Sequence, residues 1–299
     1  MASSIHASGT ETAADERGTA RRRTVPLFVW ASAGFLLVVV LAATFAPLVS
    51  PYDPIRQSLR ERLKAPAWFP EEGRQRHLLG TDQLGRDILS RVIYGSRISL
   101  VVGFAAVLIG GAIGGLLGLI SGYTGGILDE IIMLLVDGQL AFPFILLAIG
   151  IIAVLGPSFG NLIIIVGLSG WVTYARVVRA QVLTIKEREY VLAIRGLGGS
   201  TLRILAMHIV PNTLAPFLVI ATLELARTIL LESTLSFLGL GIQPPTPSWG
   251  GMLSEGRGYL DSAWWISAFP GLVLMMTTLV VSRVGDWLRD ILDPTLRGM

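Results

Sequence analysis

The residues best suited to chemistry in this chain stand inside apolar stretches. Glu224, Arg227 and Glu232 fall in the run 214–240, and Asp137 and Gln139 in the run 131–155. Facing lipid, each charge would cost about 2.5–3.5 kcal/mol at mid-bilayer, so the helices must turn them toward a neighbouring helix or a wet cavity. At about 100° per residue, Arg227 lies about 60° to one side of Glu224 and Glu232 about 80° to the other, with Thr228 inside the arc. Two chemistries fit. A cavity with both signs suits a cargo carrying an ammonium and a carboxylate, and these five residues would then line a translocation path. Asp137, Glu224 and Glu232 could instead relay protons or cations in a stand-alone secondary transporter or channel. Glu224 and Arg227, at i,i+3, can also simply neutralise each other as a structural pair.

Other chemistries find little to build on. The chain has no cysteine, which excludes thiolate nucleophiles, thiolate zinc sites and iron–sulfur clusters. His6, His77 and His208 are far apart and form no clustered metal pattern. No G-x-x-x-x-G-K-[ST] occurs, and neither lysine, Lys64 or Lys186, follows a glycine, so no P-loop can form. The expectation is a non-catalytic chain with no metal or cofactor of its own. Nucleic acid is not an expected partner despite a pI near 9.5, because the arginines sit between apolar stretches, as in the loops of membrane proteins.

The elements that position these residues are read from hydropathy. Of 299 residues, 52% are apolar and 15% charged, and mean hydropathy is +0.65. Soluble domains carry roughly 25% charged residues, so this balance points to lipid. Apolar stretches predict six spans, at 27–52, 98–128, 131–155, 162–175, 214–240 and 264–282, with Pro270 expected to kink the last. Residues 1–26 read as a disordered cytoplasmic tail, and the basic triplet Arg21, Arg22 and Arg23 orients the first span with both termini inside. The polar segment 53–97 reads as an outer loop whose end, with Leu84, Ile88, Leu89, Val92 and Ile93 at helical spacing, predicts a helix on the membrane surface. Gly110, Gly114, Gly118 and Gly122 recur at i,i+4, a bare face suited to close helix packing or to lining a substrate path.

Residues 176–212 turn cationic and amphipathic. Gly198 and Gly199 interrupt 187–212, Ser200 can cap a helix beginning after them and Pro211 lies near its end, which predicts two short helices joined by a glycine turn. Such a hairpin either lies on lipid headgroups or docks onto a soluble partner.

The loop resembles the EAA loop of binding-protein-dependent ABC transporter permeases. The register places Leu192, Ala193 and Ile194, then Gly198, then the ending His208, Ile209, Val210 and Pro211. Leu192 stands where the family usually has Glu and Ile194 where it has its second Ala; Glu189 lies three residues upstream of Leu192. The stretches 77–100, 235–253 and 285–298 are similar to the C-type permease subunits of dipeptide, oligopeptide and nickel importers.

The resemblance implies an all-α integral membrane protein with the type I ABC importer permease fold. Its divisions would be a tail at 1–26, a first helix and outer loop at 27–97, a transmembrane core at 98–287 with its coupling loop at 187–212, and a cytoplasmic end at 288–299. It implies a bacterial inner-membrane importer of peptides with a homologous B-type permease, two cytoplasmic ATPase subunits carrying ATP and Mg²⁺, and an extracytoplasmic substrate-binding protein. Glu189, Leu192, Ala193, Ile194, Arg195 and Gly198 would couple this chain to the ATPase.

Overall fold

The computed structural model describes residues 27–69 and 77–292. The expected tail, 1–26, and the chain end, 293–299, lie outside them. Among the described residues the regular structure is helical, with one isolated bridge, Thr81 to Asp87, in place of a sheet. The helices are α1 (Leu27–Thr44), α2 (Ala46–Val49), α3 (Ile88–Thr124), α4 (Gly126–Leu140), α5 (Phe144–Leu155), α6 (Phe159–Lys186), α7 (Glu189–Gly196), α8 (Thr201–Ile204), α9 (Val210–Phe237), α10 (Trp249–Gly256) and α11 (Trp265–Leu292). Among the described residues five spans pass by length and apolarity, or six if α4 and α5 together form one bent span.

Several boundaries differ from the hydropathy reading, each for a local reason. The surface helix expected before the second span is the first part of α3, which begins at Ile88 and runs unbroken for 37 residues. That is about 55 Å, well beyond a ~30 Å hydrocarbon core, so α3 is longer than one crossing needs. Asp87 starts it, its side chain accepting the Ser90 N–H at 2.7 Å. The third span is two helices, α4 and α5, inclined at 88°. Pro143 has no N–H to continue α4 and pushes Phe142 away from helical geometry, and its carbonyl then accepts from Leu146 at 3.0 Å as α5 begins. α6 does not stop near Ala175 but carries the cationic segment on to Lys186, and α11 continues past 287 to Leu292, running unbroken through Pro270.

The hairpin's second arm is continuous with the fifth span. α8 passes through a π-helical turn, Leu205–Ile209, into α9, whose first turn contains Pro211. A widened turn there gives the proline ring room against the preceding carbonyls. Ser200 occupies the N-cap position of α8 without a side-chain cap bond.

The centre of the bundle is the contact of α3 with α6. A Cβ on Gly110 would lie 2.8 Å from the Gly167 carbonyl oxygen, on Gly114 2.1 Å from that of Trp171, and on Gly118 2.5 Å from that of Ala175. The glycine row therefore packs backbone on backbone and does not line a path. α9 lies on both helices, and α1 packs outside, against α3 and α11.

Gly114→Val should destabilise the purified chain by at least about 2 kcal/mol, because neither backbone can retreat without breaking its own ladder. Gly138→Ala, on the open surface of α4 with nothing within 4 Å, should instead be neutral or stabilising. Thermal unfolding in detergent distinguishes the two.

Candidate functional site

Three polar groups, at different heights of the bundle, carry the chemistry. The first gathers around one turn of α6. Glu224, buried on α9, accepts from Arg227 Nε at 2.8 Å, and Arg227 Nη2 donates to Ser169 Oγ at 2.9 Å. From the other side, Gln139 of α4 accepts Trp171 Nε1 at 2.6 Å and donates to the Leu168 carbonyl at 3.1 Å. Two turns of α6 further on, Asp137 accepts from Arg176 at 2.6 Å, both side chains more than half exposed. Thus Gln139, Glu224 and Arg227 meet at Ser169, with the Asp137–Arg176 pair beside them on an open face.

Glu232 is not part of that group. It is wholly buried, and its carboxylate takes hydrogen bonds from Ser99 at 2.9 Å, Ser236 at 2.8 Å and Ser233 at 3.3 Å. Eight residues separate it from Glu224. That is about 12 Å along the helix, which a reading of angles alone leaves out. Thr228, between them, bonds the Leu225 carbonyl at 3.0 Å and is also buried.

The second group is the hairpin. Val191, Ile204 and Ile209 pack with Val178, Val182 and Ile185 of α6. This packing puts Leu192, Ala193, Leu197 and Leu202 outside, with Leu197 89% and Leu202 76% exposed. Glu189 is exposed in the first turn of α7, where a carboxylate complements the helix dipole. Gly198 has φ +84°, a conformation that favours glycine, and turns the chain out of α7. Ile194 and Arg195 are engaged within the chain itself. Ile194 is partly buried against Gly199, and the Arg195 guanidinium sits 5.6 Å from the centre of the Tyr123 ring.

The stem of this hairpin is tied down by residues that hydropathy reading missed. Arg179 makes two bonds of 2.6 Å to Asp129, which Ser121 also contacts, and Lys186 Nζ reaches the Gly122 carbonyl at 2.9 Å. Asp129 lies between two predicted spans and Arg179 in a predicted loop, 50 residues apart, so no spacing could link them.

The third group is at the opposite end, around α10. Asp82 bonds Arg86 Nε at 2.6 Å and also Arg91. Glu255 of α10 bonds Arg86 at 2.5 Å and Arg91 at 2.8 Å. Asp82, Arg86 and Arg91 are almost fully buried. Burial alone would raise the Glu255 pKa, but its bonds and proximity to Arg91, with Arg86 and Gln83, outweigh that and hold it below the usual carboxylate range. His77 Nδ1 lies 2.8 Å from Asp87, fastening the loop to the start of α3.

Comparison with known proteins places this architecture. A family described as the binding-protein-dependent transport system inner membrane component matches residues 114–298. The chain belongs to that family. The N-terminal TM domain of oligopeptide transport permease C also matches, at residues 28–66. The chain is 46% identical to the di/tripeptide transport system permease protein DppC of Pseudomonas aeruginosa, covering 88% of this chain and 87% of the relative. It is 45% identical to the dipeptide transport system permease proteins DppC of Haemophilus influenzae and Escherichia coli, over 88% of this chain and 89% and 87% of theirs. Among solved structures, an amino acid ABC transporter with histidines shares the fold, with TM-score 0.54 at 15% identity over 68% of this chain and 94% of that one. The chain is therefore an inner-membrane permease of a binding-protein-dependent ABC transport system, and the stand-alone channel alternative falls away.

The permease's ion pairs can be tested one partner at a time. Arg227→Leu strands the buried Glu224 carboxylate and should cost about 3–5 kcal/mol, whereas Glu224→Gln leaves a half-exposed guanidinium and should cost far less. A thermal-unfolding cycle with the double variant measures the coupling. Glu255, with its lowered pKa, stabilises the fold fully above the ordinary Glu value of about 4.3 and loses this as pH falls through its lower folded value. Stability should stay level down to about pH 5 and fall below about pH 4, with a shallower fall in Glu255→Gln.

Proposed function

We propose that this permease imports peptides of the dipeptide and oligopeptide class, delivered by an extracytoplasmic binding protein and driven by ATP hydrolysed, with Mg²⁺, on two partner ATPase subunits. The observation that carries the cargo is the identity of 45–46% to permeases named for di/tripeptide and dipeptide transport, over nearly the whole length of both chains. In this reading the chain does no catalysis and pairs with a related B-type permease.

The hairpin end faces the cytoplasm together with both termini. Leu192 and Ala193 of α7, with Leu197 just past its end, form an apolar tip at a cationic end of the molecule, and Glu189 borders it; these enter a groove on the ATPase. Ile194 and Arg195 act from behind, holding α7 on α6 and α3, and Gly198 supplies the turn. Because α7 packs on α6 and α8 runs into α9, displacement of the hairpin when the ATPases close moves both helices and tilts the path. Gln139, Ser169, Glu224, Arg227 and the Asp137–Arg176 pair mark that path, with Glu232 further along it. The open face of α4 and α6 faces the second permease.

Gly198→Pro, which imposes a φ of about −65°, and Ala193→Asp, which puts a charge on the apolar tip, should both uncouple the transporter. Membrane insertion and permease pairing should persist while binding-protein-stimulated ATP hydrolysis no longer drives uptake of labelled dipeptide into vesicles. Normal uptake in both variants would refute the coupling role. Purification of the wild-type chain without any ATPase, even after crosslinking, would refute the assembly.

A further inference from the structure

The segment between α2 and α3 carries an amphipathic surface at the end of the bundle away from the hairpin. Its level is set by α11. Charge begins at Arg283, and the uncharged part, residues 265–282, is about 27 Å long, barely the ~30 Å of a hydrocarbon core. The edge of the lipid therefore falls at Trp264 and Trp265, where indole rings are favoured. Onto this edge residues 55–69 are folded. The Trp68 ring meets Phe269 edge-on at 5.8 Å, and Phe269 lies one turn inside Trp265; Phe69 lies 6.5 Å from Trp264. Thr81 ties Lys64 to the same level: its hydroxyl accepts the Lys64 N–H at 2.9 Å and its carbonyl accepts Trp265 Nε1 at 3.1 Å. Even so packed, Trp68 is 56% exposed and Leu59 69%. Arg56, Arg60 and Arg62 are exposed too, and no ion pair among the described residues engages them, whereas Lys64 and Glu61 stand 3.9 Å apart.

Position selects what covers this surface. Trp68 and Phe69 stand on α11, beside α1, whereas the face given above to the second permease belongs to α4 and α6. A binding protein approaches from the aqueous side and meets the bundle above a ring that packs one turn inside the lipid edge. A phospholipid presents acyl chains at the level of Trp68 and a phosphate at the level of the arginines, which match it in polarity on both sides of the edge. Residues 55–69 hold four basic side chains and one acid, a net charge of 4 − 1 = +3, which favours an anionic headgroup over a zwitterionic one. We propose that residues 55–69 form a docking surface for anionic phospholipid in the leaflet away from the hairpin. Trp68 and Phe69 lie against its acyl chains, and Arg56, Arg60 and Arg62 hold the headgroup phosphates. This needs only that the chain spans the membrane, and it is independent of the cargo.

The test places the photo-crosslinker p-benzoylphenylalanine at Phe69 or at Leu59 of the assembled transporter, in nanodiscs of equal parts phosphatidylglycerol and phosphatidylcholine with binding protein present. After irradiation the mass of this chain is measured. From both positions the chain should gain the mass of one phospholipid, as it should from a control at Leu37, exposed on α1. At Leu59 the adduct should favour phosphatidylglycerol by about fivefold or more, the scale of one basic side chain at an anionic surface. Replacing the three arginines together, Arg56→Gln, Arg60→Gln and Arg62→Gln, should bring that ratio to within about twofold of unity and leave lipid capture at Phe69 intact. Leu59 lies outside the aromatic cluster, so its variant keeps the test decisive if the Phe69 variant fails to assemble. Crosslinking to the second permease or to the binding protein, or no adduct where Leu37 gives one, would overturn the proposal. Lipid capture at Leu59 without preference for phosphatidylglycerol, or with a preference that survives loss of the arginines, would overturn the anionic assignment.

Discussion

The rest of the molecule hangs on the close approach of α3 and α6. In lipid, helices gain little from the hydrophobic effect, and association depends on contact and on hydrogen bonding. Removing side chains from one face of α3 lets its backbone lie on the Gly167, Trp171 and Ala175 carbonyls of α6. With that pair formed, α9 has a groove to lie in, and the C-terminal part of α6 becomes a fixed mount for α7. The same pair brings Ser121 and Gly122 of α3 beside Arg179 and Lys186 of α6 and Asp129 of α4. In the coupling role proposed above, motion of the hairpin would pass to this packed pair instead of being lost in a loop.

Charges are distributed to serve that arrangement. Inside the bundle each is held locally: Glu224 by Arg227, and Glu232 by three serine hydroxyls. Where α4, α6 and α9 are left uncovered, by contrast, lie the half-exposed Arg227 guanidinium and the exposed Asp137–Arg176 pair. At the α10 end, Asp82, Arg86, Arg91 and Glu255 form a compact network linking the segment before α3 to α10. Trp265 Nε1 bonds the Thr81 carbonyl at 3.1 Å and Trp249 Nε1 that of Val92 at 3.1 Å, so aromatic anchors hold the same junction. Residues 77–87, just before α3, are thus fastened to α10 and α11.

Composition and pattern alone decided the class of this protein. Apolar stretches of spanning length predicted six crossings, against five in the described residues or six with α4 and α5 as one, while the i,i+4 glycines marked the face of closest packing and the Gly198 turn with Pro211 beyond it marked the hairpin. These are local properties, and local physics is enough to read them. Pro143 was visible too, yet the hydropathy of 131–155 hides that the chain bends sharply there, because hydropathy has no direction. The ends of α3, α6 and α11 escaped for a related reason: helices with polar extensions leave the lipid without stopping, and charge marks where lipid ends, not where a helix does.

Tertiary structure decided which polar residues act together. Spacing placed Glu224, Arg227 and Glu232 on one arc, but the rise along α9 and the serines of α3 separate Glu232 from the others. Gln139 joins Arg227 at Ser169 because α4 and α9 both lie on α6. Glu255 meets Asp82, Arg86 and Arg91 across more than 160 residues. Charge partners chosen across such distances depend on how helices pack, which no local pattern encodes; the sequence determined that these charges must be paired, and the fold decided with what.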